Sequence, residues 1–309
     1  MKKDSAATGR KHSGLAYIAS AVGDILLPRT CAVCGRRLLV NERHLCTFCI
    51  SDIPLTYNWN TKYHDIADRF NAFLQEDIHG YEPYSYVANL FFYNRDNGYR
   101  HICHKLKYQG NIRIGKHFSG ILGRHLASSP LFQDVDTVVP VPLHWTRKWS
   151  RGYNQSDIIG KEIASALGAA FRPDILKRCR NTSSQTTLDI GEKRENVHDA
   201  FCLTMKAVRQ YPQSATAPDT PCLPGHPAIL PRYNSGLSEA LYDSQDNGSG
   251  TADITLHTGP NPDFPKHILI VDDVFTSGAT AAACHSALRK VFLPSVRISV
   301  ATLAAVDEG

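Results

Sequence analysis

Hydrophobic residues along the chain change period several times, and each change marks an element. Ile268, Leu269, Ile270 and Val271 form an unbroken aliphatic run, the signature of a strand covered on both faces. Comparable short runs predict strands over 86–93, 136–140, 267–272 and 295–303, with shorter candidates at 175–178 and 197–203. Apolar residues at Ile102, Leu106, Ile114, Phe118, Ile121 and Leu122 recur at helical spacing and predict helices over 97–108 and 112–126. Two more helices are expected over about 155–167 and 279–291. Strands alternating with helices predict an α/β fold, a parallel sheet flanked by helices.

One stretch breaks this alternation. Residues 204–265 hold nine of the seventeen prolines, cluster Ser, Asn and Gly around 244–251, and keep no period. They read as an irregular insertion within a domain spanning 86–309. Ahead of it lie a polar, aromatic linker over 56–85 with some helix, a cysteine module over 28–55 and a lead-in over 1–27. The lead-in faintly imitates a signal peptide, but Gly23-Asp24 interrupts its apolar part, and an amphipathic helix is the other reading. No membrane insertion is expected, and the protein reads as cytoplasmic.

Charge sharpens the picture by its distribution. Residues 86–203 carry 17 Lys/Arg against 10 Asp/Glu, whereas 204–265 carry 3 against 6. The basic middle suits a polyanionic ligand, pyrophosphate or nucleic acid. Cys31-x-x-Cys34 and Cys46-x-x-Cys49 form two knuckles of the kind that place four thiolates around a structural Zn²⁺, with a pair of disulfides as the alternative. The other five cysteines share no spacing. Cys103 and Cys284 lie in apolar helical patterns and read as core.

The chemistry concentrates where the aliphatic run ends. Asp272 and Asp273 close the strand, and Val274, Thr276, Ser277, Gly278, Ala279 and Thr280 lead into the helix after it. A strand, a small-residue turn and a helix start collect backbone N–H groups that suit a phosphate. The carboxylates suit sugar hydroxyls or a hydrated Mg²⁺. Together they fit a ribose 5-phosphate. Val141, Pro142 and Leu143, followed by Arg147, Lys148 and Arg151, form a second anion-binding loop. Lys105 and Lys107 mark a basic helix end, and 178–197 is a polar, cationic stretch. Tyr108, Trp145, Trp149 and Tyr153 stand beside these cations, which allows base stacking as well as ordinary packing.

The run 268–280 resembles the 5-phosphoribosyl-1-pyrophosphate (PRPP) signature of type I phosphoribosyltransferases. The wider order of motifs resembles the ComF family: Asp24-Ile25-Leu26-Leu27-Pro28, the first cysteine knuckle with Gly35, Leu106-Lys107-Tyr108-x-Gly110, Val139-Pro140-Val141-Pro142-Leu143-His144 and Arg151-Gly152-Tyr153-Asn154-Gln155. Thr182, Gln185 and Leu188, then Arg194 with Asn196-Val197, continue it to the paired aspartates. The resemblance implies a type I phosphoribosyltransferase-like sheet with an N-terminal four-cysteine zinc module. It implies that Asp272 and Asp273 hold ribose hydroxyls, that 276–280 holds the 5-phosphate, and that 141–147 faces a Mg²⁺-bound pyrophosphate. Catalysis would be displacement at the anomeric carbon, with Arg147 or Arg151 stabilising the leaving group. It also implies a tie to competence and DNA uptake, either as an enzyme acting on an unknown nitrogenous acceptor or as a factor that handles single-stranded DNA with other uptake proteins. The insertion, and Ser277 where the family often has Thr, are departures.

Overall fold

A computed structural model describes residues 29–77, 82–93, 97–180, 200–211 and 264–306. Seven strands follow in chain order: β1 (Val87–Tyr93), β2 (Thr137–Pro140), β3 (Ala170–Phe171), β4 (Leu176–Arg178), β5 (Phe201–Leu203), β6 (His267–Phe275) and β7 (Arg297–Val306). Five of them form one all-parallel sheet in the order β1-β7-β6-β2-β3, while β4 and β5 pair antiparallel on their own. Register aligns Val139, Ile270, Val300 and Val87 in one row across the sheet. Such β-branched rows pack closely on a pleated surface.

The helices are α1 (Thr47–Ser51), α2 (Asp65–Asp77), α3 (Arg100–Tyr108), α4 (Ile112–Ser128), α5 (Trp145–Arg151), α6 (Gln155–Leu167), α7 (Met205–Gln210) and α8 (Ala279–Arg289). Helices α3, α4 and α6 cover one sheet face, with Leu106, Phe118, Leu122, Ile159 and Ile163 packed with Leu269, Val271 and Leu303. Helices α2 and α8 and the β4–β5 pair cover the other, through Phe70, Leu74, Leu176, Ala282 and Leu288 against Ile268, Ile270 and Val300. Alternation along β6 sends successive side chains into the two layers. This is the expected parallel α/β architecture.

Several regions differ from the expectation. The stretch 56–85 carries α2, whose Ile66, Ala67, Phe70 and Leu74 are buried in the second core cluster. The lead-in 1–27 lies outside the described residues, as do 181–199, where Thr182 to Val197 were expected to contribute, and most of the insertion. The insertion's first residues are regular, not irregular. Thr204 caps α7, its hydroxyl accepting from the Ala207 amide at 3.2 Å, and Ala207 is buried. Tyr211 and Phe264 then meet ring to ring at 5.5 Å, both against Phe292, so the excursion leaves and returns at one point of the core. Cys179 and Cys202, which share no telling spacing, are joined as a disulfide across β4 and β5.

The cysteine module is part of the same body. Cys31, Ala32, Leu38, Leu45 and Cys46 belong to one core cluster with Phe91, Tyr99 and Phe118. The Tyr99 hydroxyl donates to the Cys49 carbonyl at 2.9 Å. A Cβ on Gly98 would fall 2.6 Å from the Val33 carbonyl oxygen, so only glycine permits this approach. Leu55 bridges Phe91 at the sheet edge. Behind it Asn58 and Asn89 exchange hydrogen bonds at 2.8 and 2.9 Å, and Asn89 also donates to Thr302 Oγ1 at 2.7 Å. The exposed edge of β1 is thereby covered.

Candidate functional site

Chain connectivity locates the site before any side chain does. From β2 the chain crosses through α6 to β3 on one side, and from β6 it crosses through α8 to β7 on the other. The carboxyl ends of β2 and β6 therefore flank a switch point, where open parallel sheets leave a crevice. Asp272 and Asp273 do not close the strand as expected: β6 continues through them to Phe275, so they stand in its carboxyl-terminal half, and Val141 and Pro142 follow the end of β2, joined to β6 by the Val141 amide donating to the Val271 carbonyl at 2.9 Å.

The two aspartates do different things. Asp272 is half-buried, its Oδ1 accepting from Ser156 Oγ at 2.8 Å and from the Asp273 amide at 2.9 Å. Burial, and then the charge on Asp273, push the Asp272 carboxyl up from the ordinary aspartate range. Asp273 is only 3 % exposed and turns to the α3 side, where Lys107 Nζ reaches its Oδ2 at 2.9 Å. Against the cost of burial, Asp273 raises the Lys107 pKa and holds the ammonium charged.

Beyond the aspartates the chain turns sharply. Val274 packs on the first core cluster, Thr276 is exposed, and Ser277 and Thr280 are half-buried. Gly278 adopts φ 82°, and no side chain caps the start of α8, whose first turn comprises Ala279, Thr280 and Ala281. A Cβ at Gly278 would lie 2.8 Å from the Phe275 ring and 3.3 Å from Phe70. Left-handed backbone and lack of space both require glycine here. Such an uncapped helix start offers backbone N–H donors to an anion.

Across the crevice, His144 caps α5 with Nδ1, which accepts the Thr146 amide at 3.4 Å and pairs with Thr146 Oγ1 at 2.8 Å. Burial, and then Arg178 and Arg147, depress the His144 pKa. Burial and the adjacent Arg147 likewise lower the Arg178 pKa, while Asp272 opposes that shift. Arg178 thus lies within electrostatic reach of both Arg147 and Asp272. Asn154 fastens the assembly: its Nδ2 donates to the Val141 carbonyl at 3.1 Å, and its Oδ1 accepts the Ser156 amide at 3.3 Å.

Not every expected residue converges. Arg151 stacks over the Tyr108 ring at 4.9 Å and donates to Gln155 Oε1 at 3.1 Å, beside the α3 end. Lys105 faces the first cysteine knuckle, lining a cleft with Cys34, Gly35 and His104, with its Nζ on Gln109 Oε1 at 3.4 Å. Leu143 and Pro142 are half-buried on the loop to α5. Ser156 and Arg178 were not singled out as site residues. Their only signals are position, Ser156 beside Asn154-Gln155 and Arg178 at the head of the cationic stretch.

The metal centre is separate. The sulfurs of Cys31, Cys34, Cys46 and Cys49 lie within 4.8 Å of one another, with Cys34 and Cys46 Sγ 3.7 Å apart. Thiolates on a tetrahedral zinc, with Zn–S about 2.3 Å, sit about 3.8 Å apart, so this donor set fits a structural Zn²⁺. Gly35 at φ 72° turns the first knuckle, its amide donating to the Cys31 carbonyl at 3.1 Å. Glu42 ties the knuckles together, accepting from the Leu39 amide at 2.7 Å and from the Thr47 amide and hydroxyl at 2.6 and 2.8 Å. Those donors hold its carboxyl below the usual range.

Comparison with known proteins agrees with the motif order. The chain is 34 % identical over 70 residues to Competence protein F of Haemophilus influenzae, covering 23 % of this chain and 31 % of that protein. Over the matched residues the chain is similar to proteins of the ComF family. It is also 31 % identical over 107 residues to DNA utilization protein YhgH of Salmonella typhimurium, and 29 % identical over 107 residues to that of Escherichia coli K12. Each of the latter matches spans 34 % of this chain and 47 % of the relative, so the chain spans at most about half the length of the curated proteins it matches. No family model matches the chain. No helix among the described residues is long and apolar enough to cross a membrane.

Proposed function

We propose that the crevice binds PRPP with Mg²⁺ and that the chain transfers its phosphoribosyl group to a nitrogenous acceptor. One observation supports this reading: Asp272, a half-buried carboxylate near the carboxyl end of β6, is followed across the turn 276–278 by an uncapped helix start and lies within electrostatic reach of Arg178. Asp272 would accept from the ribose hydroxyls, and the turn Thr276 to Thr280 would receive the 5-phosphate. The Val141-Pro142-Leu143 loop and Arg147 would face the pyrophosphate and its Mg²⁺. In transfer the bond from the anomeric carbon to the pyrophosphate oxygen breaks through an oxocarbenium-like state, the electrons leave with pyrophosphate, and a bond to the acceptor nitrogen forms. Fixed cations on the leaving group supply the stabilisation that such a state needs. Asp273 would act through Lys107, setting the charge beside Asp272, rather than by touching the sugar.

A second reading has the relatives' names behind it. Proteins called Competence protein F and DNA utilization protein YhgH suit a factor that handles single-stranded DNA and keeps the crevice as a nucleotide or PRPP pocket. Either activity would be cytoplasmic. Four thiols poised for zinc favour a reducing compartment, while the Cys179–Cys202 disulfide runs against it.

Titration calorimetry with PRPP and Mg²⁺ tests the pocket. We expect binding that falls at least tenfold in Asp272→Asn; absence of heat at millimolar PRPP would sink the proposal. Pyrophosphate release in the presence of a metabolite library then separates transfer from binding alone.

A further inference from the structure

Helix α5 is turned inside out. Trp145 and Trp149, four residues apart on one face, are 70 % and 87 % exposed, and the helix buries none of its residues. Arg147 and Arg151, also four apart, occupy the opposite face and are half-buried, one beside Arg178 and the other over Tyr108. A surface helix ordinarily buries its rings and hands its cations to water. An indole carries roughly 150–250 Å² of surface that burial would stabilise, and here two of them forgo it. Side chains four apart stand about 6 Å apart along the axis, so the indoles form one continuous apolar strip.

The surroundings say what such a strip would meet. Lys148 is exposed directly beside Trp149. Tyr108, 64 % exposed, carries the Arg151 guanidinium on its ring and so belongs to the inner side of the helix, away from the indoles. The His144 ring stands 5.7 Å from Trp145 on the other flank. Rings interleaved with cations, in a stretch with seven more basic than acidic residues (17 against 10 over 86–203), complement an anionic backbone bearing planar bases. A purely apolar protein partner would not be matched by Lys148.

We propose that Trp145 and Trp149 form a stacking platform for single-stranded DNA, with Lys148 on its phosphates. The inference rests on the DNA-handling reading. It assigns that contact to the outer side of the helix whose inner side lines the crevice.

The test is fluorescence anisotropy of a labelled thymidine 20-mer with the full chain, alongside quenching of the indole emission. Trp145→Ala/Trp149→Ala should weaken binding about 30-fold or more, since each stacked base contributes about 1–3 kcal/mol. Tm and PRPP binding should not change, because neither ring is buried. Trp145→Tyr/Trp149→Tyr should restore most of the affinity, and Lys148→Ala should lower the salt slope by about one. A wild-type chain that binds the strand while the double alanine variant binds equally well overturns the platform and leaves DNA handling standing. A wild-type chain that ignores the strand overturns DNA handling itself. Indole quenching by phosphatidylglycerol vesicles without oligonucleotide binding assigns the strip to a bilayer and likewise overturns the proposal.

Discussion

The cysteine module and the crevice are built from similar material, loops rich in polar groups at the ends of short elements, and the fold treats them in opposite ways. In the module nearly every polar group is answered locally. Glu42 takes three hydrogen bonds, the knuckle amides have carbonyl or sulfur partners, and the apolar side chains merge with the main core. In the crevice the half-buried Asp272, its pKa raised by burial and by Asp273, precedes a helix start that no side chain caps. A region that satisfies itself is a staple. A helix start left uncapped beside a carboxylate with a raised pKa is a place for a ligand.

Stripping the metal tests the first half of that contrast and should give the largest effect. The four sulfurs lie within 4.8 Å of one another, and without zinc nothing cross-links the two knuckles in a segment that has little core of its own. Cys46→Ser, or chelation, should cost several kcal/mol and unfold the module first. Calorimetric Tm together with zinc content checks it. A chain that melts unchanged without bound zinc would refute a structural role.

Asp272 and Asp273 sharpen the contrast because they are neighbours on opposite sides of it. Asp273 belongs to the finished kind. Removing its charge in Asp273→Asn leaves Lys107 without its counter-charge and should destabilise the fold by about 3 kcal/mol. Asp272→Asn removes a carboxylate that burial disfavours, so stability should hold or rise while PRPP affinity falls. Chemical denaturation of both variants, set beside calorimetry, separates them. Equal destabilisation would erase the distinction.

The phosphate turn should respond more mildly. Gly278→Ala forces a Cβ into the left-handed region and within 2.8 Å of Phe275, at a cost of about 1–3 kcal/mol. The same change should weaken PRPP binding, since the turn must shift to admit it. Stability lost without any change in affinity would remove the turn from the site.

Much of this was legible in the sequence, wherever a regular period reported burial. Helix α6 runs from Gln155 to Leu167 as apolar spacing predicts, and β6 extends the aliphatic run by alternation to Phe275. Asp272 goes to Ser156 at the start of α6 and Asp273 to Lys107 of α3, a division that reading them as one ribose-binding pair passes over. Helix α5 has no buried side to betray it, and β3, two residues long, is shorter than any period. Ile66, Phe70 and Leu74 in α2 do form a helical stripe, but within a stretch whose polar and aromatic composition masks it. Ser156 and Arg178 reach Asp272 only through the folding of distant segments, which no local pattern encodes.

The smallest effect lies at the opposite end of the sheet, where the structure is finished in another way. His267, 1 % exposed at the start of β6, pairs Nδ1 with Asp134 Oδ1 at 2.7 Å and Nε2 with Ser299 Oγ at 2.8 Å. The arrangement has the order of a hydrolase triad, but Ser299 is fully buried, so it serves as a cross-strand tie. Burial lowers the His267 pKa although Asp134 opposes the shift. The unfolded chain therefore takes up a proton near pH 6.5 that the folded chain refuses. Stability should be constant above that pH and decline below it, by at most about 1.4 kcal/mol per pH unit for this one group. His267→Gln, measured by urea denaturation between pH 5 and 8, should flatten that part of the profile while lowering the plateau. An unchanged slope would place the acid sensitivity on other buried histidines, such as His64 or His144, both of which burial also holds low.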